Sequence, residues 1–216
     1  NVFLSGDTRY DRVKQLSTMA QENDKIAQFK GDQQLIILGS SWPEEERILH
    51  AFCLKNPNHK YKILIVPHDV SESHIADIVN RFMAYNPQLY SDGIETESNV
   101  MVLNTIGHLA SAYLYADLAF IGGAFGKGLH NILEALAYGV PVVFGPHTEK
   151  YPEAELAIRA GIAMSVSNVT DFENAHAIFL EGNEIQSSRL ACKRFVEENS
   201  GATEMVLKAI ENIDIN

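Results

Sequence analysis

Short continuous runs of aliphatic residues alternate along the chain with longer stretches in which apolar residues recur at helical spacing. The apolar runs do not alternate with polar residues, which is typical of strands that are buried on both faces of a sheet. Six such runs predict strands, at residues 34–38, 61–66, 100–103, 118–121, 140–144 and 163–166.

The stretches between these runs predict amphipathic helices, at residues 41–56, 71–85, 107–116, 131–138 and 151–160. Three more follow the last strand, at residues 170–180, 185–199 and 202–213. Two of the helices open with the spacing of a capping box, Ser41 with Glu44 and Thr170 with Glu173. Repeated βα units predict an α/β fold with a doubly wound parallel sheet, here ending in C-terminal helices.

The first thirty residues are polar and only weakly periodic, which indicates an interdomain connector followed by a first helix. Residues 31–216 then form the predicted nucleotide-binding domain. Residues 1–6 are typical of a strand leading into a turn, and the chain begins with Asn1. We therefore expect an N-terminal portion to precede this sequence. The 216 residues, 46% of them hydrophobic, suffice for one sizeable core.

Ligands of a doubly wound sheet bind at the carboxyl ends of its strands. Five predicted strands end in small, turn-forming or polar residues, at 39–41, 67–69, 104–107, 122–126 and 145–148. Five loops of this composition at the same edge of the sheet favour a binding crevice over a chance arrangement.

The densest segment, residues 122–134, starts with one of these loops and contains four glycines, Gly122, Gly123, Gly126 and Gly128. Glycines let a backbone approach a ligand closely and offer free N–H groups, and the helix that follows points its positive end at the loop. The loop is not of the Walker type, because no Gly-Lys-Ser/Thr occurs. It lies too late in the chain for the dinucleotide fingerprint.

Asn131 and Glu134 are three residues apart and should share one face of the first helical turn. A carboxylate at that place can accept hydrogen bonds from two ribose hydroxyls. The alternative is an ordinary glycine-rich turn, in which Asn131 is the N-cap and Glu134 complements the helix dipole.

Charge narrows the choice of ligand. The net charge of −11 argues against nucleic-acid binding, although local cations can hold a small anion, and Lys127 and Lys150 are the nearest to the crevice. Cys53 and Cys192 are expected to be reduced thiols. The eight histidines lack the spacing of metal ligands, so no bound metal is expected. Trp42 is expected near the mouth of the crevice.

Residues 104–146 resemble the bacterial 3-deoxy-D-manno-octulosonic acid (Kdo) transferases. The matching motifs are Gly-x-Leu, Tyr-x-x-Ala-Asp, Ala-Phe-x-Gly-Gly, His-Asn-x-Leu-Glu and Pro-Val-x-x-Gly-Pro. Gly39-Ser40-Ser41 before three glutamates, and residues 5–11, are similar to further parts of that family. Two departures occur: Pro67-His68-Asp69 replaces Pro-Arg-His, and Leu129 replaces a glycine.

The resemblance implies the Rossmann-like C-terminal half of a GT-B glycosyltransferase, with CMP-Kdo as donor substrate and no cofactor. It implies a lipid A precursor as acceptor, at the cytoplasmic face of the bacterial inner membrane, and association of the full-length protein with the membrane surface. The general base of the family is a carboxylate of the N-terminal domain, so no catalytic residue is expected in this chain.

The crevice loops and the resemblance together predict a set of substrate-binding residues. All of them except Ile106 are small or polar. They are Ser40, Ser41, His68, Thr105, Ile106, Gly107, Gly123, Gly126, Lys127, Gly128, His130, Asn131 and Glu134. Two other readings stay open. One is a GT-B enzyme for a UDP-sugar, either a transferase or an epimerase, and the other is an adaptor domain that binds no nucleotide. Without an N-terminal half, the last two helices are expected to expose an apolar strip.

Overall fold

The computed structural model describes residues 4–57, 61–94, 97–181 and 185–213. The first half of the strand expected at residues 1–6 lies outside these residues. The described strands are β1 (Gln34–Ser41), β2 (Tyr61–Pro67), β3 (Pro87–Leu89), β4 (Val100–Val102), β5 (Leu118–Ile121), β6 (Val142–Phe144) and β7 (Ala163–Ser165).

The described helices flank this sheet: two precede β1 in the chain, five lie in the intervals between strands, and three follow β7. They are α1 (Thr8–Thr18), α2 (Asp24–Lys30), α3 (Pro43–Lys55), α4 (Glu72–Arg81), α5 (Leu109–Ala112), α6 (Leu133–Ala137), α7 (Pro152–Arg159), α8 (Val169–His176), α9 (Ile185–Glu198) and α10 (Ala202–Ile213). Two short 3₁₀ turns, Met83–Tyr85 and Tyr113–Tyr115, extend α4 and α5, and a π turn at Ala177–Glu181 follows α8.

All strand pairs are parallel, in the order β3-β4-β2-β1-β5-β6-β7, which confirms the predicted doubly wound fold. The six predicted strands are all present. The sequence missed β3, a three-residue edge strand that pairs with β4 from Pro87 opposite Val100. Three residues that begin with proline carry almost no strand signal.

The direction of winding reverses beside β1. From β1 the chain passes to β2, then to the edge strand β3, and then back to β4, which lies between β3 and β2. It then crosses to place β5 on the other side of β1. The paired register of β1 and β5 ends with Gly39 opposite Ile121. Such a switch point is where a doubly wound sheet opens a crevice for ligands.

Both predicted capping boxes are wrong. Ser41 belongs to β1, opposite Pro67, and α3 starts later, with Trp42 as its N-cap and Pro43 as its first residue. The carboxylate that returns to the N-cap is that of Glu45, not Glu44, and it accepts from the Trp42 N–H at 3.3 Å. Because β1 is extended by its pairing with β2, the N-cap of α3 shifts from Ser41 to Trp42.

The second predicted box, Thr170 with Glu173, also fails. Asn168 caps α8 and accepts from the Asp171 N–H at 3.1 Å, while Glu173 pairs with Lys55 on α3 at 2.9 Å. Asparagine is at least as good an N-cap as threonine, and it stands earlier in the chain.

The N-terminal segment forms two helices rather than one. Tyr10 and Val13 of α1, and Ile26 and Phe29 of α2, are buried in the core that covers one face of the sheet. Arg9 also fixes α1 to α7, since its guanidinium donates to both oxygens of the buried Glu153, at 2.7 and 3.1 Å.

The apolar strip expected on the last two helices is confirmed for α10, which exposes Met205, Val206, Leu207 and Ile210; among the described large apolar residues of α9, only Leu190 is exposed. Among the described residues, no helix combines the length and the apolar character needed to cross a membrane.

Candidate functional site

The crevice is built where the carboxyl end of β1 touches the loop after β5. The Gly122 N–H donates to the Gly39 carbonyl at 2.9 Å, and a Cβ on Gly122 would lie 2.1 Å from the Ser40 carbonyl oxygen. Ser40 itself adopts a left-handed backbone conformation, with φ of 51°. Only a glycine at 122 permits this approach of two backbones.

The glycine loop, residues 122–130, folds back on itself. The Gly123 carbonyl accepts from the N–H groups of Gly126, Lys127 and Gly128, at 3.2, 2.9 and 2.8 Å. A Cβ on Gly123, where φ is 96°, would lie 2.1 Å from the Gly128 carbonyl oxygen. The positive φ of Gly123 makes this tight return possible.

These bonds overturn one expectation from the sequence. The glycines were expected to offer free N–H groups, but those of Gly122, Gly126, Lys127 and Gly128 are used within the protein, and that of His130 donates to the Gly122 carbonyl at 3.2 Å. A glycine loop can satisfy its own amides when its turn is this tight. These particular amides are therefore already occupied before a ligand binds.

Glu45 supplies the acceptor for the remaining central amide. Its carboxylate is fully buried, Oε1 accepts from the Gly123 N–H at 2.7 Å, and Oε2 accepts from the Trp42 N–H. Burial raises the pKa of this carboxyl group, and the two backbone hydrogen bonds oppose that rise. The sequence did not single it out, because Glu44, Glu45 and Glu46 are equivalent until the start of α3 is known.

Aromatic and cationic side chains from three loops meet above the glycine loop. The rings of Trp42 and His68 stack with centroids 4.6 Å apart, and His68 in turn lies 4.8 Å from His130. Lys127 Nζ is 5.2 Å from the centroid of the Trp42 indole. Burial lowers the pKa of His130, and the neighbouring His68 lowers it further. The expected position of Trp42 at the crevice is confirmed.

Asn131 and Glu134 share one face at the start of α6, as predicted. Asn131 Nδ2 donates to Glu134 Oε1 at 3.1 Å, and Asn131 Oδ1 accepts from the Leu133 N–H at 3.1 Å. The N-cap residue of α6 is Ile132, not Asn131 as the second reading of the sequence had it, but the Asn131 side chain still satisfies the N–H of the first helical residue. Burial raises the pKa of Glu134, and the bond from Asn131 opposes the rise.

Ser41 lies beneath the crevice surface. It is fully buried, and its hydroxyl donates to Glu46 Oε1 at 2.7 Å. The Glu46 carboxylate is buried too and lies 3.0 Å from His74 Nε2. This network supports the loop after β1 from below.

The loop after β4 lies at the same edge of the sheet, beyond β2. Ile106 is 82% exposed, and in the described part of the chain Thr105, Ile106 and Gly107 make no hydrogen bond to the glycine loop. Direct contacts thus link Ser40 and His68 to the glycine loop, the latter through His130, whereas no described hydrogen bond links residues 105–107 to it. Among the described residues, no group of three His, Cys, Asp or Glu side chains is arranged to hold a metal ion.

Comparison with known proteins agrees with this architecture. No family model matches the chain. Over 148 residues it is 30% identical to a 3-deoxy-D-manno-octulosonic acid transferase of Chlamydophila psittaci, a match that covers 66% of this chain and 34% of that protein. Over 217 residues it is 24% identical to the transferase of Rickettsia felis, covering 95% of this chain and 46% of that protein. The chain thus spans less than half the length of these two relatives.

Two solved structures share the fold. One is described as the C-terminal CMP-Kdo binding domain of WaaA from Acinetobacter baumannii, with TM-score 0.66, 19% identity, and coverage of 86% of this chain and 96% of that chain. The other is a UDP-GlcNAc 2-epimerase from Neisseria meningitidis, with TM-score 0.63, 16% identity, and coverage of 98% and 55%.

The sheet order, the C-terminal helices and the glycine loop at the switch point define a Rossmann-like domain of the GT-B glycosyltransferase type. By sequence, the chain is a relative of the bacterial Kdo transferases, as the motifs at residues 104–146 predicted.

Proposed function

We propose that this chain is the donor-binding domain of a Kdo transferase and binds CMP-Kdo in the crevice between β1 and β5. One observation carries the proposal. At the switch point of the sheet, a glycine loop packs against Ser40 and leads into the hydrogen-bonded Asn131–Glu134 pair. Lys127 and His130 of that loop contact Trp42 and His68 from the neighbouring loops.

Each part of the crevice matches one part of a nucleotide-sugar. Glu134 uses one carboxylate oxygen to accept from Asn131, and the carboxylate retains further lone pairs for ribose hydroxyls. Because several amides of the glycine loop are bound internally, we expect side chains to contribute to binding the phosphate and the sugar carboxylate. Lys127 carries the permanent charge, and His68 and His130 provide ring N–H donors.

In the transfer reaction, the main task of this domain is to bind the donor. Cytidylate is already a good leaving group, so an enzyme must mainly deprotonate the acceptor hydroxyl and stabilise the departing phosphate. The proposed mechanism uses no metal, and Lys127 with the two histidines stabilises the phosphate. The base that deprotonates the hydroxyl belongs to the N-terminal half of the relatives.

Asp69 is a poor substitute for that base. Its carboxylate accepts from both the N–H and the hydroxyl of Ser71, at 2.9 Å each, and these bonds lower its pKa. A carboxylate that is stabilised in its charged form is a weaker proton acceptor.

The acceptor we propose is a lipid A precursor, met by the full-length protein at the cytoplasmic face of the inner membrane. The motivation is the relationship to the Kdo transferases. The proposal assigns the acceptor surface to the other half of the enzyme. Sites of two-domain enzymes commonly lie between the domains.

Nucleotide selectivity tests the donor. We expect CMP to raise the melting temperature of the chain and to give a saturable calorimetric titration, because a ligand that binds only the native state stabilises it. UDP and GDP, at the same concentration, should shift it little. A UDP response equal to that of CMP would favour the epimerase-like alternative, and no response to any nucleotide would favour an adaptor domain.

Reconstitution tests whether catalysis needs both domains of the enzyme. The chain is mixed with CMP-Kdo and a lipid A precursor, with and without a separately expressed N-terminal half of the enzyme. Turnover is expected only in the presence of both halves. Turnover by this chain alone would contradict the proposal and would make Asp69 and His68 the first candidates for the base.

A further inference from the structure

Glu45 joins two loops through a buried carboxylate. It is fully buried, and its two oxygens accept from the backbone N–H groups of Gly123, at 2.7 Å, and of Trp42, at 3.3 Å. Gly123 follows β5 and Trp42 follows β1. A buried carboxylate is costly unless its hydrogen bonds are made, so both bonds are needed to keep Glu45 in this place.

Gly123 is the residue that fixes the shape of the glycine loop. Its carbonyl accepts three N–H groups, one of them from Lys127 at 2.9 Å, and its φ of 96° directs the chain back on itself. An anchor on the N–H of Gly123 therefore sets the position of the whole turn and of the backbone from which the Lys127 side chain extends.

Trp42 is held by the other oxygen of the same carboxylate. Its indole stacks on His68 and lies 5.2 Å from Lys127 Nζ. Glu45 thus binds one partner of the Lys127–Trp42 contact directly and the other through Gly123. No other described side chain hydrogen-bonds to the backbone of both loops.

We propose that Glu45 is a positioning residue of the donor site, which sets the spacing between the glycine loop and the Trp42–His68 stack so that Lys127 and His130 face the anionic part of the ligand. This inference rests on the proposed function for the identity of the ligand, but the spacing itself is a property of the ligand-free chain.

The opposing reading is a carboxylate that only stabilises the fold, and the chain offers a matched control for it. Glu153 is also buried and also lies in the first turn of a helix, where Arg9 binds it, but it is not in the crevice. Glu153→Gln removes a buried charge without touching the glycine loop.

The first experiment needs no ligand. Hydrogen exchange of the peptide covering residues 122–130 is measured in the wild type, Glu45→Gln, Glu45→Ala and Glu153→Gln. Exchange is expected to rise by about tenfold in Glu45→Ala and by less in Glu45→Gln, which keeps an acceptor for Gly123 but turns an amide toward the Trp42 N–H. Glu153→Gln should leave this peptide unchanged. Wild-type exchange in the Glu45 variants would overturn the proposal.

The second experiment uses CMP, by calorimetry, in the same four proteins. Affinity is expected to fall by about tenfold in Glu45→Ala and partly recover in Glu45→Gln, while Glu153→Gln binds as the wild type does. If Glu45→Ala does not fold, Glu45→Gln decides alone through its rise in exchange and its loss of affinity. Wild-type affinity in a folded Glu45 variant would assign Glu45 to the fold only. A wild type that binds no CMP refutes the proposed donor, and the exchange experiment still decides the role of Glu45.

Discussion

The indole of Trp42 stacks on the imidazole of His68, with ring centroids 4.6 Å apart and an angle of 25° between the planes. Trp42 follows β1 and His68 follows β2, and the cation of Lys127, from the loop after β5, lies over the same indole. Three strand-end loops therefore meet at one aromatic ring. Their contact gives the crevice a wall that is both apolar and positively charged.

Lys127→Ala should weaken CMP binding by about three- to tenfold at low salt, and by less at high salt, because an exposed charge is screened by ions. The loss of the contact with Trp42 should change the free energy of unfolding by no more than about 1 kcal/mol. Calorimetric titrations at two ionic strengths check this. Lys208→Ala removes a lysine that pairs with Glu204 on α10 and should bind as the wild type does. Equal affinity in both variants would contradict the role of Lys127.

Gly122→Ala should be far more damaging than Gly126→Ala. A methyl group at 122 meets the Ser40 carbonyl oxygen at 2.1 Å, so we expect a loss of about 3 kcal/mol in the free energy of unfolding, or failure to fold. A methyl group at 126 meets nothing within 4 Å and brings only the strain of a φ of 128°, about 1–2 kcal/mol. Urea denaturation of the two variants measures the difference. Similar losses would mean that the approach of the loop to Ser40 is not as tight as described.

Glu134→Gln should stabilise the ligand-free chain at neutral pH and weaken CMP binding. Burial raises the folded-state pKa of Glu134 above 4.5, so the folded protein binds more protons than the unfolded one just above that pH. The ionised carboxylate therefore lowers stability at pH 7, and this cost disappears as the pH falls below 4.5. The neutral glutamine still accepts from Asn131.

Melting temperatures of wild type and Glu134→Gln between pH 7 and pH 4.5 test this sign. The advantage of the variant should shrink as the pH falls. An advantage that grows toward acid pH would show that the charge of Glu134 is stabilised in the fold.

Asn131→Ala and Asn131→Asp should separate capping from binding. Alanine removes the acceptor for the Leu133 N–H, which should reduce the free energy of unfolding by about 1 kcal/mol. Aspartate keeps that acceptor but cannot donate to Glu134, and its charge repels the neighbouring carboxylate and the nucleotide. We expect weakened CMP binding in both variants, and the greater loss in Asn131→Asp. Unfolding curves and titrations of the two proteins check this, and unchanged affinity in both would limit Asn131 to its cap.

The bond from the Leu133 N–H also bears on the stability of Asn131→Ala. A residue that faced only the ligand could be replaced by alanine with little loss of stability. The bond from the Leu133 N–H makes a measurable loss of stability part of the prediction.

The sequence by itself determined the α/β class, six of the seven described strands and the edge at which the crevice forms. Continuous apolar runs mark strands buried on both faces, and this signal is local. The spacing of Asn131 and Glu134 was also enough, because two residues three positions apart share a helix face wherever the helix lies. The relationship to the Kdo transferases followed from motifs that are contiguous in the chain.

Only the tertiary structure decided what depends on contacts between distant residues. Pairing of β1 with β2 extended the strand to Ser41, moved the start of α3 and thereby turned Glu45 inward instead of Glu44. The edge strand β3 exists because β4 offers it a partner. The glycines at 122–128 predicted a close approach of the backbone, but not that the loop amides would find acceptors in Gly39, Gly123 and Glu45. Hydrogen-bond partners that lie far apart in sequence leave no periodic trace, because they are brought together only when the sheet assembles.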